Sequence, residues 1–484
     1  MIEFILEHRN FFIGLITLIL MFFSFSHAII TKRDPRAALG WAGIILFSPL
    51  LGVFLYFTFG INRIRRKARK LSRKIISHKL AKNEFKFSVD KIQDLSIIKQ
   101  FNFSQFILAE NITKRQLFKN CQIYALLSGD ETYQEMFKAI DEAKKCIFLE
   151  TYIFQNDSTG AKFVEKLTNA QERGVEVKII IDDIGAKYSF PPIYQSLRKA
   201  KLTFGKFLPS TMPWLYAYMN LRNHRKILII DDKVAFMGGM NITEKNTSKI
   251  QGEYNSQLKD IHFKIEGPIL KDIHHVFHED WYFCKKKNIS QFEYQNEESY
   301  QGSNLCRLIT DGPDGDFEKM KFIIIGAINS AKNSINIINP YFLPDLSLIS
   351  AIESALLREI KINILIPEKN NVYLFNWAQM AMLDSLVKLG ANIYLTPPPF
   401  DHSKLMVVDN RWSLIGSTNF DARSLRFNFE ANLEVYSLKL AADLNKLIEQ
   451  KIINCQQLFV EDFTNQTYFE KLRNNVSKVF SPYL

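Results

Sequence analysis

Cysteine is scarce in this sequence and scattered: Cys121, Cys146, Cys284, Cys306 and Cys455 are odd in number and show no CxxC spacing. That excludes a disulfide framework and fits either a reducing compartment or buried apolar thiols. Clusters with metal-ligand spacing are also missing. His274, His275 and His278 read as positions on one helix ahead of Trp281 rather than as ligands, and no metal or cofactor is expected. Extreme composition is absent: 47% hydrophobic and 23% charged residues exclude disordered, collagen-like and coiled-coil classes. A mean hydropathy of −0.08 excludes a many-helix transporter. Acids are the scarcer charge, 50 against 62 Lys and Arg, which gives a net charge of +12 and invites an anionic partner, nucleic acid or an acidic membrane surface.

Charge is missing altogether from two stretches near the N-terminus. One lies between Arg9 and Lys32, the other between Arg36 and Arg63. Each exceeds the roughly 20 residues that cross a bilayer core. A secretory signal peptide fits the first run poorly, because Glu3 and Glu7 stand where a basic region belongs and a second run follows at once. The expectation is a two-helix transmembrane hairpin in 1–62, with spans at about 10–30 and 39–60. Arg63, Arg65, Arg66, Lys67, Arg69, Lys70, Arg73 and Lys74 follow with no acid among them, so the positive-inside rule places that end in the cytoplasm. These eight charges account for most of the +12 and leave +4 (12 − 8) for everything else. The surplus therefore reads as a membrane-facing collar, and nucleic acid is not an expected partner. The protein is expected in the cell membrane as a multi-pass chain with its catalytic part cytoplasmic.

The remainder contains an internal repeat. Ala139-Ile140-Asp141-Glu142-Ala143-Lys144 leads into Ile147-Phe148-Leu149, and Ala327-Ile328-Asn329-Ser330-Ala331-Lys332 leads into Ile335 and Ile337-Ile338. Both read as an amphipathic helix feeding a buried strand. A second strand follows each, at 175–181 and 360–366. The fold class is α/β, with two related halves at 109–300 and 301–484 after a basic juxtamembrane linker at 63–108.

One chemical pattern occurs once per half. His224-x-Lys226, Asp231, Gly238 and Asn241 recur as His402-x-Lys404, Asp409, Gly416 and Asn419 at identical offsets. His and Lys at i and i+2 project from one face of a strand. A neutral imidazole attacks phosphorus or moves a proton, and the Lys holds non-bridging phosphate oxygens. Pairing the halves supplies a nucleophile and an acid on opposite sides of one phosphorus, as in-line displacement requires. The candidate catalytic residues are His224, Lys226, Asp231, His402, Lys404 and Asp409, with Asn241, Ser417 and Asn419 as substrate-binding donors. Each motif Asp lies at an odd offset of seven from its His, so it faces away and is read as ordering the turn and the Gly-Asn loop. Asp260 and Glu430, 36 and 28 positions after the motif histidines, are the candidates for orienting the imidazoles.

These paired HxKxxxxD…Gly-(Gly/Ser)-x-Asn motifs resemble the phospholipase D superfamily. The N-terminal pattern of Arg36, Trp41, Pro49, Gly52, Tyr56 and Gly60 resembles bacterial cardiolipin synthases, as do Glu150-Thr151-Tyr152, Asn339-Pro340-Tyr341 and Asp421-Ala422-Arg423-Ser424-Leu425. The resemblance spans about residue 10 to the end; Gly239 departs from it, standing where Ser is frequent. It implies transfer of a phosphatidyl group between two phosphatidylglycerol molecules through a phosphatidyl-histidine, with cardiolipin and glycerol as products. By family analogy His224 is the nucleophile and His402 the acid-base, although the symmetry of the motifs leaves that order open. The rival readings are a membrane-bound phospholipase D that uses water as acceptor, a nuclease with the same His-Lys pairs, and a non-catalytic tether. The apolar, aromatic stretch 212–219 fits either buried packing or a lipid entry lip.

Overall fold

The structure is a computed structural model that describes residues 8–32, 35–60, 103–209, 221–248, 257–291, 300–313 and 315–481. The basic run 63–74 and the aromatic stretch 212–219 lie outside the described residues. The chain divides into two compact units, Met1–Lys70 and Leu71–Leu484.

In the first unit, α1 (Arg9–Thr31) is 23 residues long and is the one described helix long and apolar enough to cross a membrane. The expected second span does not form as one helix. It breaks into α2 (Pro35–Phe47) and α3 (Pro49–Leu55), followed by a π turn at Tyr56–Gly60. Pro49 has no N–H to continue the α2 ladder and sits at the first turn of α3, where none is needed. The chain reverses there. A Cβ on Gly52 would fall 2.3 Å from the Ile44 carbonyl, so only glycine lets α3 lie against the end of α2. The returning segment ends where α1 ends: the Tyr56 hydroxyl lies 2.7 Å from His27 Nδ1, and Lys32 Nζ donates to the Gly60 carbonyl. At 1.5 Å per residue, neither piece reaches the roughly 30 Å of a bilayer core.

The second unit is built on one large mixed sheet and one small two-stranded sheet. Its first half supplies β1 (Phe118–Leu126), β2 (Cys146–Thr151), β3 (Glu176–Asp182), β4 (Phe204–Phe207), β5 (Arg222–Asn223), β6 (Ile227–Ile230), β7 (Val234–Gly238), β8 (Leu258–Lys259) and β9 (His262–Glu266). The second half supplies β10 (Asn304–Asp311), β11 (Ser334–Ile338), β12 (Lys361–Pro367), β13 (Asn392–Thr396), β14 (Phe400–Asp401), β15 (Leu405–Val408), β16 (Trp412–Gly416), β17 (Asn428–Tyr436) and β18 (Gln456–Leu458). The spatial order is β4-β3-β2-β6-β7-β9-β1 in the first half and β13-β12-β11-β15-β16-β17-β10 in the second, with β18 beyond β13. Corresponding strands occupy corresponding places, so the sequence repeat is a repeat of topology.

The halves meet at β1. Its start pairs antiparallel with β10, whereas Gln122 to Leu126 pair with Glu266 to His262 of β9. Asn120, with a φ of 58°, breaks the register between the two. The helix Phe103–Thr113, expected at the end of a linker, packs on the second half: Gln105 Nε2 donates to Ile323 O, and Phe106 joins that half's core.

The strands bearing the motifs are buried on both faces. Ile227 and Ile229 of β6 join Leu405 and Val407 of β15 in a core shared by both halves. Leu228 and Ile230 turn into the first half's own core, and Met406 and Val408 into the second's. This period of two makes each motif strand an uninterrupted apolar run and fixes the height at which its His and Lys emerge.

Candidate active site

Two short parallel pairings bring the histidines together. β5 pairs with the start of β17, and β14 with β8. His224 N then donates to Phe429 O at 2.9 Å, and His402 N to Lys259 O at 2.6 Å. Each histidine is thus pinned by the opposite half, on the residue just before a carboxylate.

That carboxylate is its partner. Glu430 lies 3.0 Å from His224 Nδ1, and Asp260 lies 2.8 Å from His402 Nδ1. The dyads cross, since the acid that follows one motif serves the imidazole of the other. Tyr152 and Tyr341 meet His224 and His402 edge-on, with ring centroids 5.3 and 6.2 Å apart. Both imidazoles, Asn241 and Asn419 line one cleft of about 810 Å³.

Lys226 Nζ donates to the His224 carbonyl at 2.6 Å, and Lys404 Nζ to that of His402. Burial holds Lys226 down to about 7 and Lys404 to about 8. Burial, together with the neighbouring lysines, also drives His224 well below and His402 below the usual imidazole range. Burial raises Glu430 to about 7, against the pull of Lys226 and the hydroxyl of Ser417. His224, lowered the further of the two, is thereby favoured as the neutral imidazole with a free lone pair, whereas the contact with Asp260 favours a proton on His402. An entering phosphodiester anion would favour the charged form of both lysines.

Asp231 and Asp409 do not belong to this cleft. Asp231 accepts from the amides of Lys144, Lys145 and Cys146 at 2.7–3.0 Å, and Asp409 from those of Lys332, Asn333 and Ser334 at the same distances. They fasten the loop entering β2 and β11, not the Gly-Asn loop, because each is the first residue of a two-residue turn with positive φ at the far end of its strand. Their expected catalytic role is replaced by an anchoring one. Ser417, expected on the substrate, spends its hydroxyl on Glu430 and is fully buried. Its counterpart Gly239 sits against Asp260, where an added Cβ would lie 2.6 Å from Oδ1. Asn241 Oδ1 accepts from Ile153 N at 3.1 Å and so holds the loop carrying Tyr152.

Sequence reasoning passed over a buried network behind His224. Arg225 pairs with Asp280 and donates from Nε to Glu430 O, while Arg222 lies 3.1 Å from Asp182. The arginines flank the motif in sequence, but their acids come from β3 and the helix Leu270–Lys285, which no local spacing reveals. His274 is buried with its ring against Phe148 and serves that core.

Residues 136–281 and 324–452 match a family model described as cardiolipin synthase, phospholipase D-like domain, and residues 19–60 match one described as phospholipase D-nuclease N-terminal. The chain is 28% identical over 466 residues to the major cardiolipin synthase ClsA of Bacillus subtilis, covering 94% of this chain and 95% of that one. It is 30% identical to a cardiolipin synthase of Clostridium perfringens, again over 94% and 95% of the two chains. Among solved structures, phosphatidylserine synthase of Haemophilus influenzae superimposes with a TM-score of 0.62 at 17% identity, over 78% of this chain and all of that one, which speaks to the fold.

Proposed function

The chain belongs to the phospholipase D-like cardiolipin synthase family, and from that premise we propose that it joins two phosphatidylglycerol molecules into cardiolipin and glycerol. The observation that carries the chemistry is the pair of crossed dyads in one cleft, His224 with Glu430 and His402 with Asp260. One imidazole attacks phosphorus, a P–N bond forms and the P–O bond to glycerol breaks, and the other imidazole gives its proton to the leaving oxygen. A hydroxyl of the second lipid then returns that proton to the same imidazole as it attacks. The P–O bond to the acceptor forms, the P–N bond breaks, and cardiolipin is free. Family analogy makes His224 the nucleophile. Lys226 and Lys404 hold the non-bridging oxygens as charge grows on them. Each carboxylate stabilises the imidazolium that forms beside it.

The lipid substrate accords with the apolar N-terminal unit. In this reading α1 crosses the bilayer while α2 and α3 enter and leave by one face, and the positive-inside rule applied to Arg63–Lys74 makes that face and the catalytic unit cytoplasmic.

Purified protein in phosphatidylglycerol vesicles tests the reading, with cardiolipin, glycerol and phosphatidic acid measured together. Equal amounts of cardiolipin and glycerol are expected. Phosphatidic acid in place of cardiolipin would make water the acceptor and the enzyme a hydrolase.

A further inference from the structure

Beyond the motifs, the repeat places one more cation in each half. Lys245 and Arg423 each follow their motif histidine by 21 residues (245 − 224 and 423 − 402). Both line the cleft. The other cations nearest the chemistry are engaged: Lys226 and Lys404 lie on the histidines, and Arg222 lies on Asp182. Lys245 and Lys369 are exposed at the mouth, whereas Arg423 is half-buried in the wall. No hydrogen bond or ion pair of its guanidinium is found among the described residues. The nearby acid Asp421 is occupied, accepting from Ser424 N at 2.8 Å and Ser424 Oγ at 3.1 Å.

A half-buried guanidinium that lines the cleft and forms no ion pair among the described residues, Asp421 included, is placed for an anion from outside. Its planar fork matches two oxygens of a phosphodiester. The proposed reaction brings two phosphodiesters into the cleft: the one under attack, served by Lys226 and Lys404, and the acceptor's own, one glycerol away from the attacking hydroxyl. We propose that Arg423 holds this second, non-reacting phosphodiester and so selects a lipid over water or free glycerol as acceptor. The inference rests on the cardiolipin-forming reading and names the residue that gives that reading its acceptor.

The test compares two acceptors on one donor. Full-length Arg423→Gln protein in phosphatidylglycerol vesicles is assayed for cardiolipin and for incorporation of labelled glycerol into phosphatidylglycerol. The second reaction uses the same donor and histidines with an acceptor that has no phosphate. Cardiolipin formation is expected to fall about 10- to 100-fold, the loss of a charge-assisted hydrogen bond, while glycerol exchange stays within about threefold. Arg423→Lys is expected to recover part of the cardiolipin rate; a lysine no better than glutamine overturns the role of charge. Parallel loss of both reactions overturns the proposal by assigning Arg423 to the donor site or the fold, and so does retention of both. A wild-type protein that exchanges glycerol but forms no cardiolipin strikes the proposed function instead.

Discussion

Glu430 of the second half lies 3.0 Å from Nδ1 of His224 in the first, and Asp260 of the first half repeats the relation with His402 of the second at 2.8 Å. Neither half holds a complete dyad by itself. Removing a carboxylate charge leaves the imidazole without its counter-ion at the moment it becomes cationic. Glu430→Gln and Asp260→Asn are each expected to lower kcat by about 10²- to 10⁴-fold with folding intact. Initial rates of cardiolipin formation together with circular dichroism check this; near-wild-type rates from both variants would remove the dyads from the mechanism.

The pH profile follows from groups facing the same cleft. Glu430, raised to about 7 by burial, loses its charge as pH falls and no longer supports the His224 imidazolium. Lys226, at about 7, and Lys404, at about 8, lose theirs as pH rises and no longer hold phosphate oxygens. The kcat/KM profile, which reports the free enzyme, is expected to be a narrow bell with its maximum near about 7. A rate that climbs steadily through about 10 would show that the lysines stay charged or do not matter.

Gly239 leaves room for the Asp260 carboxylate. An added Cβ would press on both oxygens of Asp260, at 2.6 and 2.8 Å, and move them off His402. Gly239→Ala is therefore expected to cost about 1–3 kcal/mol of stability through overpacking, and to reduce activity far more than that loss explains. Melting temperature and kcat measured on one preparation separate the effects, and a variant that kept its full rate would show that Asp260 tolerates displacement.

For the motif aspartates the expectation is reversed. Asp231→Ala gives up an acceptor shared by three amides, so stability should fall by about 2 kcal/mol while kcat per folded molecule changes little. Asp409→Ala should behave alike, given its matching set of amides. Denaturant titration beside active-site counting decides this; a loss of kcat in fully folded protein would return these residues to the chemistry.

The sequence carried what is local or repeated. The alternation in Ile227–Ile230 and Leu405–Val408 marked strands buried on both faces, and the doubled motif located both halves of the cleft. Asp260 and Glu430 were visible as candidates, but not their exchange, which depends on β5 meeting β17 and β14 meeting β8 across the halves. Uncharged length alone suggested a second span; the reversal at Ser48–Pro49 depends on the close approach of Gly52 to Ile44, a contact that hydropathy does not encode. Arg423 stands in the Asp421–Leu425 motif without a role, because the absence of a partner for its guanidinium among the described residues is a property of the folded wall.

The crossing of the dyads has a consequence for how such a site can diverge. Two copies of one half, related by a true twofold axis, would hold two identical histidine–carboxylate pairs, and any change would strike both at once. Joining the copies in one chain lifts that constraint. Here one pair has Glu, a serine hydroxyl and an arginine nearby, and the other has Asp, a glycine and a lysine. Covalent duplication is what would let one imidazole specialise in attack and the other in proton transfer, as the proposed mechanism requires.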